Sequence, residues 1–162
     1  PVMPHQAEDI WQNTPEMQRG GLESILLADW VKFNKEWDNA QLEEDFTKIL
    51  KTREVVTRAI EPLRAEKKVG SSLEVAVYVK SDDSEILKAN AKDLADIFIT
   101  SQAYVADEAP AEVLNEYTEN GITVWVTKAE GEKCERCWKF RKLGEHAGHE
   151  TICSDCYDAV TE

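Results

Sequence analysis

QLEEDFTKILKTREVVTRAIEPLRAEKKVGSSLEVAVYVK, residues 41–80, switches from a helical to a strand-like hydrophobic period partway along. In its first part Leu42, Phe46, Ile49, Val56, Ile60 and Leu63 fall at helical spacing on one face. That pattern predicts a long amphipathic helix of about 35 to 40 Å. Pro62 has no N–H to donate and is expected to bend or break the helix in its last turns. The basic pair Lys67 and Lys68 suits the negative end of a helix dipole, and Gly70 is the expected stop. LEVAVYVK then alternates and is rich in valine, which predicts a strand.

Downstream, SDDSEILKANAKDLADIF returns to helical spacing behind a Ser or Asp cap, so it predicts a helix. ITSQAYVA and GITVWVTKA predict two further strands, with ADEAPAEVLNEYTEN as an acidic loop between them. Strand, helix, strand, strand against a long helix is an α+β arrangement, here with a small mixed or antiparallel sheet over residues 41–130. Upstream, PVMPHQAEDIWQN places Met3, Ala7, Ile10 and Trp11 at helical spacing, with its prolines confined to the first four residues. One short helix cannot bury that stripe, so it reads as the remnant of a helical domain. TPEMQRGG and an extended apolar segment, ESILLADW, complete a connecting unit over residues 1–40.

Residues 131–162 hold every cysteine, in KCERCWKFRKLGEHAGHETICSDC at 133–156. Two Cys-x-x-Cys pairs lie 15 residues apart. Four thiols so paired predict one Zn²⁺ held by Cys134, Cys137, Cys153 and Cys156 in a ribbon or knuckle. Four thiolates fill a tetrahedral shell and leave no place for a reactive water, so this zinc is expected to be structural. An iron–sulfur cluster is the minor alternative, and two disulfides would suit a secreted protein. No apolar run approaches the roughly 18 residues of a membrane span, and the reading is a cytoplasmic monomer with no membrane partner.

The chain carries a formal charge of −13, which argues against a general nucleic-acid binder. Its basic residues nevertheless concentrate in two places. Residues 48–68 hold seven basic and three acidic side chains, and residues 133–142 hold five and one. In the second cluster Trp138 adjoins Cys137; an indole there either packs over the knuckle or is held out as a stacking platform for a base. The basic neighbours either offset the excess charge of four thiolates or meet phosphates. Lys67, Lys68, Lys139 and Arg141 are the candidate phosphate contacts, and Arg136 and Trp138 the candidate base contacts.

His146-Ala147-Gly148-His149 fits a His-x-Gly-His nucleotide-binding pattern, but it lies in the metal loop with no parallel αβ repeat around it. It is read as a coincidence, and both histidines as spectators to the metal. The glycine-rich phosphate loops GxGxxG and GxxxxGK[ST] are absent from the sequence. No catalytic residue is assigned.

EWDNAQLEEDFTKILKTREVVTRAIEPLRAEKKVGSSLEVAVYV, joined to KAEGEKCERCWKF and ICSDCYDAV, resembles the carboxy-terminal part of bacterial-type isoleucyl-tRNA synthetases. PVMPHQAEDIWQ resembles the last helix of that family's anticodon-binding domain. The resemblance implies a fragment whose zinc tail helps engage the anticodon stem-loop of isoleucine tRNA. The other partner implied is the rest of a parent chain that joins isoleucine to tRNA with ATP. It supports Arg136 and Trp138 as anticodon-loop contacts. The family's ATP-binding, activation-loop and editing segments are missing from these residues, so the fragment itself is expected to be catalytically inactive. The four-cysteine ribbon also resembles the zinc finger of certain DNA-repair glycosylases. The rival expectation is a free-standing zinc-ribbon module that binds a protein partner.

Overall fold

A computed structural model describes residues 2–161. The chain divides into two compact units, Pro1–Asn39 and Ala40–Glu162.

The first unit holds helix α1, Pro4–Asn13, and a single turn α2, Glu16–Arg19, closed by Gly20 in the left-handed region. Pro4 sits in the first turn, where its missing donor has no intrahelical partner in any case. The expected apolar stripe stays largely uncovered: Met3 and Ile10 are exposed and no residue of α1 is buried. Side-chain bonds fold the following loop back onto the helix. Trp11 Nε1 donates to the Leu22 carbonyl at 3.1 Å, and Glu8 accepts from Ser24 Oγ at 2.7 Å and from the Ile25 N–H at 3.1 Å. The segment expected to be extended contains a 3₁₀ turn, Ile25–Leu27. Its cause is local: the Ser24 hydroxyl caps the turn by accepting from the Leu26 N–H.

The second unit is built on helix α3, Ala40–Ala65, 26 residues or about 39 Å long. The helix faces the core from Ile49 onward. Ile49, Val56, Ile60 and Leu63 are buried as expected, joined by Thr52, Val55 and Ala59, while Leu42 and Phe46 stay exposed. Pro62 does not break the helix. Its ring lies on the exposed face, where water can satisfy the carbonyl that loses its donor. The stop comes at Lys67 rather than Gly70. Lys67 is left-handed (φ 57°), the Lys68 N–H donates to the Leu63 carbonyl at 2.9 Å, and the Lys67 N–H donates to that of Arg64 at 3.0 Å. That bond pair is a Schellman cap.

Strand β1, Val75–Lys80, follows and leads into two short helices, α4, Ser84–Ala89, and α5, Leu94–Ile97, where one helix was expected. The Asn90 side chain turns back to donate to the Ile86 carbonyl at 2.9 Å and ends the first of them. Strand β2, Gln102–Val105, lies parallel to β1. The acidic loop contains an unexpected strand, β3, Asn115–Glu119, paired antiparallel with β4, Ile122–Lys128. The two are joined through Asn120 and Gly121, both left-handed, as a two-residue hairpin turn of this twist requires. The sheet is therefore mixed, in the order β2-β1-β4-β3. Val75, Val77 and Val79 of β1 and Val124 and Val126 of β4 are completely buried in one core cluster with the α3 residues, Leu87, Leu94 and Phe98.

The remaining elements are a two-stranded ribbon, β5, Glu132–Lys133, and β6, Phe140–Arg141, and a final helix α6, Ser154–Thr161.

Candidate metal centre and its basic rim

The ribbon β5–β6 presents Cys134 and Cys137 in a tight turn. Inside it the Trp138 N–H donates to the Cys134 carbonyl and the Cys134 N–H to the Lys139 carbonyl, both at 2.9 Å. Cys153 precedes α6 and Cys156 lies in its first turn. The two halves are tied by the Glu135 N–H donating to the Thr151 carbonyl at 3.1 Å and the Cys153 N–H to Cys134 Sγ at 3.4 Å. Cys134, Cys153 and Cys156 are buried, and Leu143 and Ile152 pack on them.

The four sulfurs lie within 4.8 Å of one another, and Cys137 and Cys153 are 3.8 Å apart. No disulfide joins them. A tetrahedral ion with metal–sulfur bonds of about 2.3 Å would set sulfurs about 3.8 Å apart, so the donor set fits such an ion. The electrostatics agree. Burial works against ionising Cys134, but N–H donors from Cys137, Cys153 and Arg136 outweigh it and bring that thiol down to about 6. Burial, reinforced by the neighbouring sulfurs, pushes Cys137 up to about 12, and burial also raises Cys153. Packed sulfurs resist accumulating negative charge, which a bound cation would offset. Four cysteines can hold a metal ion here.

Neither histidine of the His-x-Gly-His pattern belongs to this group. His146 stacks flat on Tyr157 with ring centroids 3.8 Å apart, and His149 meets the same ring edge-on at 5.4 Å. They pack the outside of α6.

The expected contact residues have different surroundings. Trp138 is 61% exposed, with Lys133 Nζ 5.4 Å from its ring centroid. It is left-handed at φ 64°. Arg136 is exposed and donates from Nη1 to Cys156 Sγ at 3.7 Å. Lys139 is largely covered, and its ammonium pairs with Asp96 of α5. Arg141 pairs with Asp155 at 3.7 Å. At the end of α3, Lys67 is exposed and Lys68 pairs with Glu66 at 2.7 Å.

The sequence reading missed the residues that seat this centre on the sheet. Gln102 Nε2 donates to the carbonyls of Glu130 at 2.9 Å and Phe140 at 2.8 Å, while its Oε1 accepts from the Glu130 N–H at 3.1 Å. The Phe140 N–H donates to Ser101 Oγ at 2.7 Å. A Ser-Gln pair at a strand start carries no signal in sequence; only the pairing reveals it.

Residues 1–79 match the family described as the anticodon-binding domain of tRNA ligase. Across its whole length the chain is 38% identical to an isoleucine–tRNA ligase of Syntrophomonas wolfei and 34% identical to one of Caldanaerobacter subterraneus. It is 35% identical over 99% of its length to the chloroplastic/mitochondrial isoleucine–tRNA ligase of Arabidopsis thaliana. The chain spans 18%, 18% and 17% of those three relatives, less than a fifth of each. It belongs to the isoleucine–tRNA ligase family, and its similarity falls on the carboxy-terminal part of those relatives.

Proposed function

We propose that this chain is the tRNA-binding carboxy-terminal region of an isoleucine–tRNA ligase. In this reading Cys134, Cys137, Cys153 and Cys156 hold one structural Zn²⁺, and the first knuckle presents Trp138 and Arg136 to the anticodon stem-loop of isoleucine tRNA. The parent protein joins isoleucine to that tRNA with ATP, using segments outside these residues. Zinc supplies no reactive water here; it crosslinks the two knuckles and makes metal binding part of folding.

The observation that carries the reading is the state of Trp138. A left-handed backbone costs an L-residue roughly 1–2 kcal/mol and is ordinarily given to glycine. Here it is given to a tryptophan whose ring is more exposed than not. A residue that neither relaxes the backbone nor fills a core is suited to contact a partner, and a base stacked on it would gain about 1–3 kcal/mol. Lys133 beside the ring and Arg136 on the same turn add positive charge for the backbone of a nucleic acid. Lys67 and Lys68 remain the proposed phosphate contacts at the end of α3. Arg141, whose pairing with Asp155 is the looser at 3.7 Å, stays among the proposed phosphate contacts, while Lys139, largely covered and paired with Asp96, also holds the module in place.

The experiment is removal of residues 131–162 from the parent synthetase, followed by isoleucine-dependent pyrophosphate exchange and tRNA binding. Retained exchange with weakened binding is expected; unchanged tRNA binding would overturn the proposal.

A further inference from the structure

The polypeptide enters the first knuckle through Glu130 and Gly131 and leaves it through Lys139 and Phe140. Both passages are bound by one short stretch of the sheet domain. α5 ends in a second Schellman cap: the Thr100 N–H donates to the Ala95 carbonyl at 2.9 Å and the Ile99 N–H to that of Asp96 at 3.1 Å. Ile99 takes the left-handed position at φ 57°, a conformation that β-branched residues rarely adopt. That turn delivers Ser101 and Gln102 to the start of β2. There Thr100 Oγ1 donates to the Gln102 carbonyl at 3.1 Å and the Ser101 N–H to that of Val75 at 3.2 Å.

From that position the Gln102 side chain acts as a surrogate peptide group. It exchanges two hydrogen bonds with the Glu130 backbone and donates a third to Phe140. Buried Ser101 accepts from the Phe140 N–H while donating to the Leu73 carbonyl, which ties the exit strand to the lead-in of β1. Lys139 reaches Asp96, one turn before Ile99. Gly131 closes the arrangement: it is left-handed (φ 95°), and a methyl there would lie 2.5 Å from the Arg141 carbonyl oxygen. None of these bonds is among those that gather the four sulfurs, which are made between the knuckles themselves.

We propose that Ser101 and Gln102, with Asp96, are positioning residues that fix the direction in which the metal knuckle presents Trp138 and Arg136 to RNA. This rests on the RNA-binding reading above. The knuckle could fold on its metal with any orientation; the clamp selects one. Because Lys139 and Phe140 directly follow Trp138, a clamp on them sets the indole with one or two residues of slack. An indole held in advance loses less freedom on stacking than one on a swinging module.

The test uses the parent synthetase with Gln102→Glu and, separately, Asp96→Asn. The first places a carboxylate opposite two carbonyls it cannot donate to; the second loosens an exposed latch that cannot threaten the core. The readouts are bound zinc, amide exchange at Phe140 and affinity for isoleucine tRNA. Zinc should be retained, Phe140 should exchange faster, and affinity should fall about tenfold for Gln102→Glu, comparable to losing one or two net hydrogen bonds, and less for Asp96→Asn. Loss of zinc from Gln102→Glu would make the residue a support of the metal site and overturn the proposal. Unchanged affinity despite faster Phe140 exchange would also overturn it, and a Trp138→Gly control that still weakens binding would show that the RNA reading survives. If that control were neutral as well, the RNA reading would fall with it.

Discussion

Cys137 and Cys153, from opposite ends of the metal segment, bring their sulfurs to 3.8 Å without bonding to one another. That separation is the edge of a four-sulfur tetrahedron about the size zinc requires. Elemental analysis should therefore give one zinc per chain. Cys153→Ser should release it and unfold residues 131–162, since metal binding is the folding energy of such a module. The core on α3 and the four-stranded sheet should persist in circular dichroism. Recovery of two disulfides from reduced extract would sink this assignment.

The register of α3 can be read out by mutation. Ile49 is completely buried, whereas Leu42 on the same stripe is 51% exposed. Ile49→Ala should destabilise the chain by about 2–5 kcal/mol in denaturant unfolding, and Leu42→Ala by less than about 0.5 kcal/mol. Equal losses would mean that the helix is buried along its whole length.

Lys67 closes α3 in a conformation suited to glycine. Lys67→Gly should stabilise the chain by about 1 kcal/mol by removing the strain at the left-handed position, while Lys67→Val should destabilise it. Thermal melts of the two variants decide this, and a destabilising glycine would contradict the cap described here.

In the first unit Glu8 is held below the ordinary carboxylate range, chiefly by the Ser24 hydroxyl and then by Gln12, against an opposing effect of burial, with the Ile25 N–H adding to the depression. A depressed carboxyl contributes its tie above the unfolded pKa and loses it as pH falls through the folded one. The Ile25 amide resonance should thus shift in acid, at a pH below that of a free glutamate, and Glu8→Gln should abolish the shift. An Ile25 amide that titrates with a free-glutamate midpoint would contradict the contact.

Much of this fold was legible because period and packing coincide. The valines of β1 and β4 alternate in sequence and are all buried, and α3 follows its stripe into the core from Ile49 onward. The failures are local. Strand β3 was hidden in acidic residues because an edge strand tolerates charge, yet Asn120-Gly121 before an alternating run is a strong hairpin signal. Pro62 lacks a donor but falls on the exposed face of α3, a placement its own residue type does not reveal. Leu42 and Phe46 share the helical period, yet both stay exposed. At the metal centre the four sulfurs were readable from spacing alone. The pairing of Lys139 with Asp96, 43 residues away, and the seat made by Ser101 and Gln102 are tertiary facts with no local signature.

Whether Trp138 serves RNA or the knuckle is decided by one paired measurement: zinc content and isoleucine-tRNA affinity of the parent synthetase carrying Trp138→Gly. Glycine suits the left-handed backbone at this position, so the metal should be retained and the knuckle should be no less stable. Affinity should fall by about 1–3 kcal/mol, with isoleucine activation unchanged. Zinc lost before affinity is affected, or affinity unchanged with zinc in place, would contradict the account and leave Trp138 without a part in tRNA binding.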